Sequence, residues 1–416
     1  MPESGSRRDA LRSDVLRSIL HEHLEELDFL WEQRERVLFA PDWTLHELGE
    51  LEERAEAHLD GLRIGGDAAI DLARPALAGE EPGAATAAAF VFLAARTPAL
   101  ANELMDAIAA SKDPARDGIR VALRHGEVNL VTDRLYELSV GADRHLRAFA
   151  TDVLAFHRLR PPPEMERLLA DDEPAVRRLA YAAAGRFGKL LTERHLQDAL
   201  DCEDPTVQRV ALEACARCGL PALVAQCRKA SRRLTEALAF LGVVGTDEDI
   251  PALKTALGDP SLAPAALAAF GSLGNVAAMP LILQAMANPT LAVPAGEAFV
   301  QLVGEHDLRV ARAPMPPPAL DDPAGDVMDD LPPPDADRAR ALWEQMQSRF
   351  APGGRWQAGL DVGGMDMGTA LGALSLRSRR DVYLAARARD PKGTPDVELE
   401  RRVRVAGDAA SPPARR

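Results

Sequence analysis

Four cysteines lie close together, at Cys202, Cys215, Cys218 and Cys227. A Cys-x-x-Cys pair flanked by two more thiols is the raw material of a zinc site, which needs four soft ligands converging at about 2.3 Å. The same residues also serve as small buried hydrophobes. Local pattern favours packing: Cys215, Cys218 and Cys227 fall in columns that elsewhere hold Leu, Phe, Val or Met, and Cys202 falls in a turn. No metal ligand is therefore assigned. His21 and His23 are two apart and diverge by about 200° on a helix. His46 and His58 sit among acidic residues, and His157 occupies an apolar slot. His-Glu-x-x-His, the phosphate-cradling Gly-x-x-x-x-Gly-Lys-Ser/Thr and the Gly-x-Ser-x-Gly nucleophile turn are all absent, and Gly363-Gly364 and Gly368 lack a strand-then-helix context. The expectation is a protein with no catalytic residue and no cofactor, not an enzyme.

Charge offers a different chemistry. The 416 residues carry a net charge of −15, with 13 acidic against 3 basic residues between His21 and Asp60. Within this segment Glu47, Glu50 and Glu53, beside Glu52 and Glu56, make an acidic rim that could dock a basic partner. From Arg377 to Arg416 the balance reverses, to 11 basic and 6 acidic residues. A net acidic body repels phosphates, so nucleic acid is not an expected partner. No run of about 18 apolar residues and no signal-peptide pattern occurs, so no membrane insertion and a cytoplasmic location are expected.

What positions these residues is a repeat. The segments Val176–Gly188, Val207–Gly219, Arg233–Gly245 and Leu262–Gly274 align on a final glycine, and Leu146–Arg158 fits the same register. One column reads Ala180, Ala211, Ala237, Ala266; a second reads Ala184, Cys215, Leu241, Phe270; a third reads Phe187, Cys218, Val244, Leu273. These positions share one helical face, and the alanine slot lets a neighbouring helix approach closely. The final glycine suits a left-handed helix cap. A second helix is marked by Pro163, Thr192, Pro221, Pro251 and Pro280, and the next unit by Glu173-Pro174, Asp204-Pro205, Asp259-Pro260 and Asn288-Pro289. The unit is helix, turn, helix in about 30 residues, and one such unit cannot bury its own apolar face. Only 18 residues are aromatic, as a core of stacked Ala/Leu helices requires. The expected fold class is all-α, an α-solenoid.

The pattern Glu-Pro-x-Val-Arg-Arg-x-Ala-x-x-Ala-x-Gly at Glu173–Gly185 resembles the HEAT-like repeat of phycobilisome lyases. That resemblance implies that Arg177 and Arg209 bond aspartates of the adjacent repeat as a structural ladder. The flanks His23–Trp31 and Leu51–Arg63, with Leu331–Asp335, Trp343 and Gly354–Trp356, resemble an uncharacterised proteobacterial family of HEAT-like repeat proteins. Members of that family are often encoded near type VI secretion genes, which implies an accessory role there.

The expected organisation is an N-terminal helical cap over residues 1–80, a repeat solenoid over 81–312, a Pro/Asp-rich linker over 313–335, a C-terminal helical section over 336–405 and a disordered tail over 406–416. The linker holds 8 prolines and 6 aspartates. Because solenoids present extended surfaces, the expected function is a non-enzymatic protein-binding scaffold or adaptor whose partners are other proteins, among them secretion-system components. Arg194, Gln197, Lys254 and Gln284 are the candidate polar binding positions on the second helices. The rival readings are a small-ligand or bilin-lyase-like enzyme, from the repeat resemblance, and a HEAT-like nucleic-acid binder, which would need a basic groove with aromatics.

Overall fold

Proline at a first helical turn loses no hydrogen bond, and in this chain it opens four of the longer repeat helices: Pro82–Ala94, Pro98–Ala110, Pro174–Phe187 and Pro205–Cys218 begin on it. Asp204 caps the last of these directly, accepting from the amides of Thr206 at 2.7 Å and Val207 at 3.3 Å. Asp259 and Asn288 bond two residues on, to Ser261 and Thr290. They shape the turns before the helices Ala263–Leu273 and Ala292–Val303 rather than capping them.

The computed structural model describes residues 3–188, 191–304, 308 and 333–403. Helix accounts for 71% of it, and the strands among the described residues are Trp356–Gln357 and Leu360–Asp361, which pair antiparallel. The fold is all-α. Most of the linker expected over 313–335 and all of the tail over 406–416 lie outside the described residues. Packing divides the chain into two compact units, Met1–Leu190 with Val397–Arg416, and Leu191–Asp396.

In the first unit the helix Glu3–Val37 packs on Leu45–Gly65 and on Pro82–Ala94. A row of long helices then continues through Asp113–His125, Arg144–Phe156 and Pro174–Phe187, each on the one before. The row closes tightly: Gly118 lies so near the preceding helix that a Cβ there would sit 1.9 Å from the Pro82 carbonyl.

In the second unit Pro205–Cys218, Thr235–Val244, Ala263–Leu273 and Ala292–Val303 form the long row. Beside it run four helices of 8 residues each, Glu193–Leu200, Leu223–Ala230, Ile250–Leu257 and Met279–Met286. Within each unit, helix pairs stack on the next pair in chain order, which is the arrangement of an α-solenoid. Ala180, Ala211, Ala237 and Ala266 are fully buried, so the alanine column is where the helices meet. The third column is different: Phe187, Cys218 and Val244 are only half-buried, and Leu273 alone is buried. Gly219, Gly274 and Gly304 take the left-handed cap, whereas Gly245 is extended at φ −76°.

Residues after the linker finish the second unit. The helix Leu376–Arg389 lies on Pro205–Cys218 and Thr235–Val244, where Arg387 donates to the Arg217 carbonyl. The short hairpin covers exposed helix ends: the Trp356 amide donates to the Gly274 carbonyl at 2.8 Å, and the Ala358 amide to Gln301 at 2.7 Å. Half-buried Asp381 accepts from Ser272 Oγ and from Gln301 Nε2, each at 2.8 Å, and removal from water pushes its carboxyl above the usual range.

Candidate functional site

The last carbonyls of an α-helix have no intrahelical partner and carry partial negative charge, so cations are favoured there. In the first unit the helices Glu3–Val37, Asp113–His125 and Pro174–Phe187 place Arg34, Arg124 and Arg186 in their last turns, and stacking brings these three to one side of the row. Trp31, Phe90, His125 and Phe156 lie between them. Trp31 stacks on Phe90 with ring centroids 4.5 Å apart, and His125 stands 5.1 Å from Trp31 and 5.0 Å from Phe156. Arg124 lies over Phe156 at 4.5 Å, Arg186 over the same ring at 5.4 Å, and Arg34 over Trp31 at 5.0 Å. The result is a groove walled by aromatic faces with guanidinium groups along it.

Two carboxylates are fixed in its floor. Arg34 Nε donates to Glu52 Oε1 at 2.7 Å, with Arg34 only 1% and Glu52 3% exposed. Asp152, 1% exposed, accepts from Arg186 at 2.7 Å and Arg120 at 2.9 Å. Burial alone would raise the Asp152 pKa, but the two guanidinium groups hold it below the usual carboxylate range. Arg120 and Arg186 are correspondingly held above theirs. This aspartate therefore links three consecutive helices.

The groove is filled by the chain itself. Residues Val397–Val403, which form turns and bends rather than a helix or strand, belong to this unit. Glu398 accepts from Arg186 Nε at 3.0 Å, and Glu400 from Arg186 Nη2 at 3.0 Å and from Arg124. The main chain is read as well: Arg34 Nη2 donates to the Glu400 carbonyl at 2.7 Å, and the Val403 amide donates to Glu52 Oε2 at 2.6 Å. Arg402 reaches Glu56 at 2.8 Å. Val397, Leu399 and Val403 are only half-buried, so carboxylates and main-chain groups hold the segment more than apolar burial does. Burial, then Arg34 and Arg124, push the His125 pKa well below its usual value. His125 Nδ1 and Arg124 Nε are sealed from solvent without a hydrogen-bond partner among the described residues.

The residues singled out from sequence lie elsewhere. Glu47 closes a capping box with Thr44, Glu50 pairs with His46 at 3.4 Å, and Glu53 is exposed. Their neighbours Glu52 and Glu56 face inward, to Arg34 and Arg402. Arg194, Lys254 and Gln284 are exposed and Gln197 is half-buried on the short helices of the second unit, with Gln197 bonded to Asp201 at 2.9 Å and Arg194 3.7 Å from Asp198. The slot of Arg177 is a turn anchor in the helices beside it: Arg147 donates to the Gly141 and Ala142 carbonyls, and Gln208 to the Cys202 carbonyl. An arginine–aspartate ladder between helices of the first unit runs through Arg120, Asp152 and Arg186.

Cys215 and Cys227 are fully buried and free, and burial pushes the Cys227 thiol up to about 12 and Cys215 higher still. His157 Nε2 bonds the Leu123 carbonyl at 2.7 Å. Among the described residues no three His, Cys, Asp or Glu side chains are grouped to hold a metal ion, and no helix is long and apolar enough to cross a membrane. The groove arginines were legible as a column, since Arg124-His125-Gly126, Arg186-Phe187-Gly188 and Arg217-Cys218-Gly219 share a register. Compared with known proteins, the chain matches no family model and no curated relative.

Proposed function

We propose that the chain is a non-enzymatic scaffold or adaptor that binds other proteins. One observation carries this reading: an irregular polypeptide segment, Val397–Val403, is held in the first unit's arginine groove through its main chain as well as its side chains. A surface that grips one irregular segment in this way has the donors, acceptors and aromatic walls that recognition of a peptide requires. The net charge of −15 weighs against nucleic acid as the partner. A cytoplasmic accessory role in type VI secretion follows from the resemblance of the flanking segments, and secretion-system components are its natural partners.

Purification of the tagged full-length chain from its native cell, followed by mass spectrometry, tests the reading. A reproducible set of partner proteins, recovered at stoichiometric levels and resistant to nuclease, supports it. Recovery of chaperones alone, or of nucleic acid that carries the co-purifying proteins, overturns it. The secretion assignment fails separately if partners are recovered and none belongs to that machinery.

A further inference from the structure

The segment Val397–Val403 meets the groove as a ligand meets a site. Its anchors are two carboxylates in Glu-x-Glu spacing, one main-chain carbonyl and one main-chain amide. Were it displaced, Arg34 would keep Glu52 and Arg186 would keep Asp152. Arg124 would lose its carboxylate and keep only the Phe156 face. The open groove would thus present guanidinium donors between aromatic walls, with Glu52 free to accept a main-chain amide.

We propose that this groove is a recognition site for an irregular, non-helical acidic segment of a partner protein carrying Glu-x-Glu, and that Val397–Val403 occupies it as an internal competitor. The inference rests on the protein-binding reading above and adds the chemistry of the partner. Charge complementarity selects that occupant: Arg34 and Arg186 are already half-satisfied by the fixed carboxylates of Glu52 and Asp152 and Arg124 by none, so the site has room for single carboxylates placed two residues apart. A polyanion such as nucleic acid would meet Glu52 and Asp152 in the floor and be repelled. Because the resident segment is held mainly by charge-assisted hydrogen bonds, which weaken when the acceptor is neutral, converting its two glutamates to glutamine loosens it without changing its shape.

The test uses full-length wild-type chain and the Glu398→Gln/Glu400→Gln chain, with a fluorescein-labelled synthetic peptide of residues 395–403 as probe. A matching peptide with both glutamates replaced by glutamine is the control. Fluorescence polarisation is expected to show the substituted chain binding the acidic probe about tenfold or more tightly than wild type does, with the control bound weakly by both. A folded substituted chain that binds neither peptide, or both equally, overturns the proposal. If the substituted chain does not fold, hydrogen–deuterium exchange of wild type decides: excess acidic peptide must speed exchange at 397–403, and unchanged exchange overturns the proposal. Partner recovery from the native cell that is indifferent to Glu398→Gln/Glu400→Gln, together with no peptide binding, removes this inference and leaves the scaffold reading standing.

Discussion

Arg186 and Glu398 are separated by 212 positions in the chain, yet their side chains meet at 3.0 Å with both residues buried. Arg186 ends one helix of the first unit's long row, and Glu398 belongs to a segment with no regular structure. The same guanidinium also holds Asp152 and Glu400, so one side chain joins the stack of helices to the strand of chain that crosses them. A charged group taken out of water is tolerated only where its donors are matched by acceptors, and here all three donor directions of Arg186 are used.

Asp152→Asn should therefore be costly. It leaves Arg120 and Arg186 buried with one neutral acceptor in place of a carboxylate, and an expected loss of about 3 kcal/mol follows from breaking a buried pair on one side. Urea unfolding followed by circular dichroism measures it. Asp172→Asn is the control, since Asp172 is exposed beside Arg144, and its midpoint should not move.

His125 should make the first unit less stable as acid is added. Its folded-state pKa lies well below the usual 6.5 through burial and the neighbouring Arg34 and Arg124 (Arg402 acts the same way, Glu400 opposes). The unfolded chain therefore binds the proton that the folded one refuses. Stability is complete above pH 6.5 and falls as the pH drops towards the folded-state value, by at most about 1.4 kcal/mol per pH unit. His125→Phe should flatten, not abolish, the slope of stability between pH 5 and 7, because His58 and His157 are shifted the same way. An unchanged slope would show that His125 is not held neutral.

Asp381 in the second unit has the opposite sign. Burial raises its pKa, so its contribution is present below about pH 4 and is lost as the pH rises through the folded-state value. Ser272 and Gln301 both donate to one oxygen, Oδ2, a role an amide oxygen can take. Asp381→Asn should raise the melting temperature at pH 8 and gain less at pH 4.5, as differential scanning calorimetry would show.

Close helix contacts give a test with an internal control. A Cβ at Gly118 would lie 1.9 Å from the Pro82 carbonyl and one at Gly242 would lie 2.2 Å from the Ala269 carbonyl, while nothing lies within 4 Å at Gly372. Gly372→Ala should stabilise by up to about 1 kcal/mol through helix propensity. Gly118→Ala and Gly242→Ala should instead destabilise by about 1–3 kcal/mol through overpacking, read from denaturant midpoints.

Thiol reactivity separates packing from chemistry. Cys215 and Cys227 are buried with raised pKa values, and a thiol reacts as thiolate. Iodoacetamide at pH 8 should leave both unmodified in the native chain by peptide mass spectrometry and label them fully in urea. Rapid native labelling of either would contradict their place in the core.

The repeat can be read from local pattern alone. Alanine columns at about 30-residue spacing, proline-marked helix starts and the low content of aromatic residues specify helices that must stack, because period and side-chain size are local properties. They also placed Cys215 and Cys227 in apolar slots. Tertiary structure alone decided the groove. Charge counting read the C-terminal segment as basic and the stretch from His21 to Asp60 as an acidic rim, yet Glu398 and Glu400 are the groups that dock, and Glu52 and Glu56 of the rim face inward. Which of several like charges is buried depends on partners hundreds of residues away. Helix periodicity fixes the face on which Arg124 and Arg186 stand, but only stacking puts them side by side, and only the returning chain supplies the carboxylates that make their burial stable.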